Sequence, residues 1–337
     1  MTSLVYMQVG FWEKLASDTS REGIRTMLNV SDALGNSDVI TDASEEQIQK
    51  DTFLMVLIKQ GNYQRCDSNY INKKVGDLNS SSSTVDLCAT YMLDKKQADC
   101  EALESKYGVV ILCASALSDR RYLFDGDGFS LDKAKRYPQK YVSFQKQLQQ
   151  PCNSLVVIDP YILASKSVDR ETGLMVFPGI SNNLEPLLDA VLPQTLNINF
   201  HLSIISHLNN PDDLKKVHEK IKKCLKRIRP SLNVKLGLFY TEKSYSYSVE
   251  SFHSRHILSN SFIVDSEDGL DLFNDKGYLQ KNNPTLSIVF PRLFGNSRQD
   301  ITKYEKWVMS VKKYVDDCPE SLYCGTKENR LLVLFSD

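Results

Sequence analysis

The spacing of apolar positions divides the chain into two regions with different patterns. In the first region, a short apolar strand is predicted over residues 4–12, ending near Gly10. A helix is predicted over residues 44–60, where the sequence SEEQ has the Ser-x-x-Gln spacing of a capping box. A further helix over residues 95–106 is followed by a stop signal at Gly108 and an apolar strand at 109–112. The first region is therefore predicted to be a small α/β unit.

The second region alternates strands and helices in a more regular way. The predicted strands are 155–159, 198–205 and 234–239, and the helices between them are 184–192 and 211–229. This alternation favours a mainly parallel sheet. Beyond it, the pattern predicts a hairpin of strands 252–258 and 262–265, a strand at 286–291, a helix at 301–315 and a final strand at 331–335.

Taken together, these patterns predict an α/β protein with a small N-terminal domain and a larger C-terminal one. The N-terminal α/β domain is assigned to residues 1–118, a polar connecting segment to 119–150, and the second domain to 151–337. The second domain is expected to contain a mixed, mainly parallel sheet flanked by helices.

Composition restricts the kinds of partner without identifying one. Of the 337 residues, 42% are hydrophobic and 25% charged, and the net charge is -1, so attraction to nucleic acid or a membrane needs a local patch. The eight cysteines form no CxxC pair, and the sequence has neither a signal-peptide pattern nor an apolar run long enough to span a bilayer. We expect a cytoplasmic protein with reduced thiols.

The sequence contains little that indicates a cofactor or a metal. Neither a GxGxxG loop nor a Walker A loop occurs, so no nucleotide cofactor is expected, and a GxSxG elbow is missing too. The DGDG sequence at 125–128 lacks the remaining ligands of a calcium loop and reads as a turn. The acidic run between Asp265 and Asp271 is interpreted as a solvated turn, so no metal site is predicted.

The helix predicted at 211–229 concentrates positive charge. Its cations are Lys215, Lys216, Lys220, Lys222, Lys223, Lys226, Arg227 and Arg229. Against them stand three acidic residues, so one element carries an excess of cations. Such a face is typical of a solvated surface helix, but it could also hold the backbone of a nucleic acid without sequence preference.

Three residues around the predicted hairpin suggest phosphate chemistry. On a strand, His253 and Arg255 project from the same face, and Asn260 follows at the strand end. An imidazole can attack phosphorus, and a guanidinium can neutralise the non-bridging oxygens of a phosphate. A nearby amide can orient either the imidazole or the guanidinium. His256 has the other parity and is predicted to be a packed core histidine.

In these positions the chain resembles the phospholipase D superfamily, whose signature is His-x-Lys followed, after four residues, by Asp. The variant here is HxRxxxxN, and it is similar to the phospholipase D-like C-terminal domain of proteins that carry MIT domains. The Asp-Pro-Tyr sequence after the first strand of the second region and the sequence Gly269-Leu270-Asp271 support the resemblance, which extends over residues 150–320.

The resemblance implies a metal-independent phosphodiesterase, similar to a nuclease, with His253 as nucleophile or acid and Arg255 as phosphate clamp. Because active enzymes of the superfamily use two motifs and this chain has one, a complete site requires a homodimer. Prokaryotic proteins that combine this half-site with an unrelated N-terminal module resemble effectors of antiviral defence.

Two other interpretations remain open. In the first, the domain binds a phosphate-bearing ligand, a protein partner or a membrane head group without turnover, while the N-terminal domain binds a protein partner. In the second, His253 and Arg255 are ordinary surface residues of a strand.

Overall fold

The computed structural model describes residues 3–59, 63–79, 83–120, 123, 127–130, 141, 148–164, 167–168, 175–242, 255–266, 269–274, 276, 278–280, 284–290 and 298–334. These residues form two large sheets with helices packed against them, so the protein is α/β, as predicted.

The first sheet has five parallel strands. They are β1 (Ser3–Met7), β2 (Ser37–Thr41), β3 (Tyr63–Arg65), β4 (Thr90–Met92) and β5 (Val110–Leu112). Their order across the sheet is β3-β2-β1-β4-β5. The helices that connect them are α1 (Val9–Ser17), α2 (Arg21–Gly35), α3 (Glu45–Lys50), α4 (Thr52–Lys59), α5 (Tyr70–Gly76) and α6 (Gln97–Tyr107). Buried side chains cover both faces of this sheet, as expected for all-parallel strands.

In the first region, some of the helix and strand ends predicted from local sequence signals agree with the structure and others do not. The capping box at Ser44 and the left-handed residue at Gly108, with φ of 60°, are confirmed. The first strand, however, ends at Met7, and the apolar run continues as helix α1, because a short apolar run fits a strand or a buried helix equally well. The helix predicted at 44–60 is divided at Asp51, whose carboxylate accepts two backbone N–H groups of α4.

The second sheet has eight strands. They are β6 (Asp127–Ser130), β7 (Ser154–Ile158), β10 (Phe200–Ser206), β11 (Val234–Tyr240), β12 (Arg255–Ser259), β13 (Ile263–Ser266), β14 (Thr285–Val289) and β15 (Tyr323–Gly325). Their order is β15-β11-β10-β7-β12-β13-β14-β6. A separate two-stranded hairpin consists of β8 (Ser167–Val168) and β9 (Met175–Val176). The helices are α7 (Glu185–Val191, preceded by a π-helical segment at Ile180–Leu184), α8 (Leu214–Ile228), α9 (Arg298–Asp317) and α10 (Arg330–Val333).

The second sheet is mixed, but it is not mainly parallel. Only β7, β10 and β11 run parallel to one another, and the other neighbours, including the predicted hairpin β12–β13, pair antiparallel. Within this sheet, the described helices that connect parallel strands lie between residues 154 and 240. Across the described part of the chain, the helices lack the combination of length and apolarity that a membrane crossing requires.

One further expectation differs from the structure, and one segment contains an element that the pattern did not predict. The predicted final strand at 331–335 is a short helix, α10, which begins where the Asn329 side chain accepts the backbone N–H of Leu331. The segment 119–150, predicted to connect two domains, contributes β6 as the edge strand beside β14. Both outcomes depend on contacts with distant residues, which a local pattern does not contain.

Helices cover both faces of the second sheet. One face packs against α7 and α8, with Leu155, Val157, Ile204, Leu238 and Ile257 among its buried residues. The opposite face packs against α9 and α10, with Val156, Ile158, Ile205, Phe239 and Leu258 among its buried residues. We call these the α8 face and the α9 face.

The two sheets are joined by a buried junction. Asn153, which precedes β7, donates its side-chain amide to the carbonyl oxygens of Leu87, Tyr107 and Gly108, at 2.7, 3.1 and 3.1 Å. Gly108 lies so close to this strand that a Cβ atom on it would overlap the carbonyl of Cys152. A single cluster of buried apolar side chains also extends from β1 to the α8 face.

Candidate functional site

Polar side chains form a row across the second sheet where its parallel strands end. Asp159 follows β7, Ser206 ends β10 and Tyr240 ends β11, while the antiparallel strand β12 begins at this edge with Arg255. The strand register places both Ser206 and Arg255 next to Asp159, and it pairs Ser206 with Tyr240. Because side chains alternate along a strand, all four project from the α8 face. We call these four residues the carboxyl-edge row.

Arg255 is the cation of this row and is held on an aromatic ring. Its guanidinium carbon lies 5.3 Å from the centre of the Tyr161 ring, within the range of a cation–π contact. The residue is only partly buried, so it can be reached from solvent. A guanidinium fixed in this way loses little further freedom when it binds an anion.

Asp159 is fully buried beside Arg255 and anchors the surrounding backbone. One carboxylate oxygen accepts the N–H groups of Tyr161 and Ile162, at 2.7 and 3.2 Å, and the other accepts the N–H of Leu270 at 2.5 Å. Burial raises the pKa of Asp159 to about 6, while these N–H groups and the charge of Arg255 act in the opposite direction. The Asp-Pro-Tyr and Gly-Leu-Asp sequences thus meet at one carboxylate.

His253, the predicted nucleophile, lies outside the described residues. It precedes the first residue of β12 by two positions. That it shares a face with Arg255 stays a prediction.

Asn260 lies at the other end of β12 from Arg255. Its side-chain oxygen accepts the N–H groups of Asn153 and Ser154, at 2.8 and 3.3 Å, and its amide nitrogen donates to the carbonyl of Gly108 at 3.1 Å. The side chain is buried, and its polar ends contact the junction between the sheets. The structure therefore does not bring Asn260 together with Arg255.

Two more polar groups lie at the same edge. The Ser206 hydroxyl is buried, and no hydrogen-bond partner for it occurs among the described residues. His207, the next residue, has its Nδ1 at 3.1 Å from the carbonyl of Thr241, and the centre of its ring lies 5.7 Å from that of Tyr240. Within the row, the partly exposed guanidinium of Arg255 is the group suited to an anionic ligand.

The predicted basic helix is α8, and most of its cations are exposed as expected. The exposed ones are Lys215, Lys216, Lys222, Lys223, Lys226 and Arg227. Some have acidic neighbours: Lys222 lies 3.3 Å from Glu219, and Arg227 pairs with Glu185. Lys220 is half-buried, with its ammonium 4.8 Å from the centre of the Phe177 ring.

Arg229 is not on the outer face of this helix, contrary to the prediction. It is 4% exposed, pairs with Asp189 and donates to the carbonyl of Leu192 at 3.2 Å. Arg229 follows the last residue of α8, where the backbone has left helical geometry, so the helical spacing no longer decides its direction. It is a structural contact between the end of α8 and α7.

His256 is a packed residue on the α9 face, as predicted. It is completely buried, its ring stacks on Trp307 at 3.8 Å between centres, and its Nδ1 lies 3.1 Å from a carboxylate oxygen of Asp265. Burial raises the pKa of Asp265, but contact with His256, the charge of Lys303 and a backbone hydrogen bond from Ser266 together leave the pKa below its ordinary value. One member of the predicted acidic run, Asp265, is therefore half-buried and paired with a buried histidine.

Asp159 and Ser206 were not assigned a role from the sequence. Asp159 had a usable signal, since it is a charged residue directly after an apolar parallel strand, where α/β proteins place ligands. Ser206 had none, because a serine at a strand end is common. No known protein family matches this chain, and no characterised protein shows significant sequence similarity to it.

Proposed function

We propose that the protein is a metal-independent phosphodiesterase that acts on nucleic acid as a homodimer. The observation that carries this proposal is the position of Arg255, a partly exposed guanidinium held on Tyr161 at the carboxyl edge of a parallel sheet. Ligand sites of α/β proteins occur at this edge. A guanidinium there can neutralise the charge that accumulates on the phosphate oxygens during substitution.

In the proposed reaction, a nitrogen of the His253 imidazole attacks phosphorus while Arg255 binds the non-bridging oxygens. The bond to the leaving oxygen breaks, and that oxygen takes a proton from His253 of the partner subunit. Water then attacks the phosphoryl-imidazole and gives its proton to the partner's His253, which releases the phosphomonoester and restores both residues.

Asn260 is left out of this proposed chemistry. Both polar ends of its side chain are bonded to backbone groups near the first sheet. We assign it the structural role of joining β12 to the junction, and His253 and Arg255 remain as the reacting pair.

The exposed cations of α8 are proposed to hold the nucleic-acid backbone. Helix α8 follows β10, so its first turn lies towards the carboxyl edge of the sheet, the edge that also carries Arg255. Contacts with phosphates through lysines give affinity without sequence preference. This agrees with a role in antiviral defence, which we propose on the basis of the resemblance alone.

The test is incubation with single- and double-stranded DNA and RNA in the presence of EDTA. Wild-type protein is expected to cleave at least one of these substrates, and His253→Ala is expected to abolish cleavage. His207→Ala is the matched control, because it removes an imidazole at the same edge that has no role in the proposed reaction. Intact substrates under conditions where sedimentation shows a dimer would refute the proposal.

The second candidate is a module that binds a phosphate-bearing ligand without turnover. It is favoured by the engagement of Asn260 elsewhere, since one of the three residues of the half-site then takes no part in chemistry. Binding of a phosphodiester that depends on Arg255, with no cleavage by wild type and no effect of His253→Ala, would support this candidate.

A further inference from the structure

Asp159 accepts backbone hydrogen bonds from two turns at the carboxyl edge. Its first oxygen fixes the turn that carries Tyr161, on whose ring Arg255 lies. Its second oxygen holds Leu270, in a turn that begins with Gly269 at a φ of 93°. The same turn is held from both sides, since the Ser266 hydroxyl donates to the carbonyl of Gly269 and the Tyr141 hydroxyl to the carbonyl of Leu270, at 2.6 Å each.

A fully buried carboxyl group is costly unless it is bonded, and Asp159 is bonded on both oxygens. Its charged neighbours are Arg255 on β12, which favours the carboxylate, and Asp271, which opposes it. Tyr141 also faces it, and burial followed by the charges of Asp159 and Asp271 raises the pKa of that hydroxyl well above its ordinary value, so it stays neutral.

We infer that Asp159, in its carboxylate form, is the positioning residue that holds Arg255 and the turn at Leu270 in the geometry that binds a phosphodiester. This inference rests on the proposed phosphate site. Asp159 does not touch the ligand. It acts by fixing the turn under Arg255 and by attracting the guanidinium to one orientation.

Electrostatics alone predicts the opposite of this inference. Removing a negative charge next to Arg255 makes the edge more positive and should strengthen the binding of an anion. Loss of positioning should weaken it, because an oriented guanidinium becomes free to adopt other conformations. The sign of the change in affinity therefore separates a positioning role from a simple charge effect.

The experiment uses isothermal titration calorimetry with dimethyl phosphate, a minimal phosphodiester that stays monoanionic over the pH range used. All proteins carry His253→Ala, which prevents turnover. Adding Asp159→Asn is expected to weaken binding about tenfold at pH 7.5, the size of effect typical for a charged hydrogen-bonding partner. Adding Asp271→Asn, which removes the same charge from the neighbouring turn, is expected to strengthen binding slightly.

The pH profile provides a readout that a purely structural residue would not change. The affinity of the parent protein is expected to fall as the pH is lowered from 7.5 to 5, because Asp159 takes up a proton with a pKa of about 6. The protein with Asp159→Asn should lack this fall. If that variant does not fold, the test is the pH dependence of the parent protein's affinity. An affinity that stays constant or rises as the pH is lowered would overturn the inference.

A third variant separates the inference from the proposed function. If Arg255→Ala binds dimethyl phosphate as well as the parent, the phosphate site itself is wrong and both proposals are overturned. If binding depends on Arg255 but Asp159→Asn binds equally well or better, the site stands and the positioning role is wrong.

Discussion

The two sheets of this protein present their carboxyl edges differently. In the first sheet, β1 lies between β2 and β4, and helix α1 begins at this edge. The N–H of Val9, at the start of α1, donates to the carboxylate of Asp42 at 2.7 Å, and a Cβ on Gly10 would overlap the carboxylate of Asp94. The positive end of the helix is thus occupied by the protein's own acids. In the second sheet, the acid at the edge is joined by Arg255, a partly exposed cation.

This difference shows that topology alone does not make a ligand site. Both sheets have parallel strands and both edges are of the kind that often binds anions. At the first edge, the N–H of Val9 is satisfied by Asp42, and the cation Lys14 pairs with Asp94. Among the residues that the structure describes at the two edges, the second edge carries a guanidinium, Arg255, that is both held on a ring and partly exposed.

The strongest test of this comparison removes one cation from each edge. Arg255→Ala is expected to lower metal-independent cleavage of nucleic acid by about 100- to 1000-fold, as for the loss of a group that stabilises charge in a transition state. Lys14→Ala is expected to leave the rate unchanged, since Lys14 lies at the first edge, where it pairs with Asp94. Initial rates in EDTA measure both. Equal losses in the two variants would mean that the edges do not differ in function.

A second test asks whether the two sheets are one cooperative structure. Gly108→Ala should lower the free energy of unfolding by about 3 kcal/mol, because it adds strain at positive φ and a clash with the Cys152 carbonyl. Gly76→Ala is the control: a Cβ there meets nothing within 4 Å, and a change of less than about 1 kcal/mol is expected.

The chain has two tryptophans, and they report on different regions: Trp12 packs near the first sheet and Trp307 on the α9 face of the second. With Trp12→Phe, the fluorescence of Trp307 follows the unfolding of the second sheet in urea. With Trp307→Phe, the fluorescence of Trp12 follows the unfolding of the first sheet. We expect Gly108→Ala to shift both transitions together. A shift in one signal alone would show that the sheets unfold independently.

A third test restores the residue type of the superfamily signature at position 260. Asn260→Asp should lower the free energy of unfolding by about 2 kcal/mol, because a carboxylate cannot donate to the carbonyl of Gly108. The rate of nucleic-acid cleavage by this variant should not exceed that of the wild type. Measurement of urea unfolding together with cleavage rates checks both parts, and an increase in rate would place Asn260 back in the reacting group.

The smallest expected effect concerns helix α8. Lys215, Lys223 and Lys226 make no ion pair among the described residues, and their combined replacement by alanine should weaken DNA binding at low salt only moderately. The dependence of log affinity on log salt concentration should become shallower by about 0.9 for each phosphate that the variant no longer neutralises. Alanine at Lys50, Lys73 and Lys96 of the first region removes the same charge and should leave the slope unchanged. Fluorescence anisotropy at several salt concentrations measures this.

Local patterns in the sequence determined most of the elements and several of their ends. The hairpin of β12 and β13, the capping box at Ser44 and the stop at Gly108 could be predicted because each depends on residues close together in the chain. The burial of His256 followed from strand parity in the same way. Short apolar runs were the exception, since α1 and α10 show no periodicity long enough to separate a helix from a strand.

Only the tertiary structure decided which distant residues became neighbours. Parity shows which face a residue takes, but it does not show which strand lies beside it. The contact of Asp159 with Leu270 spans 111 positions and that of Asn260 with Gly108 spans 152, and both depend on strand order and register. For the same reason the sequence suggested Asn260 as a partner of Arg255, whereas packing of the two sheets turned its amide towards Gly108 and left Asp159 beside the guanidinium.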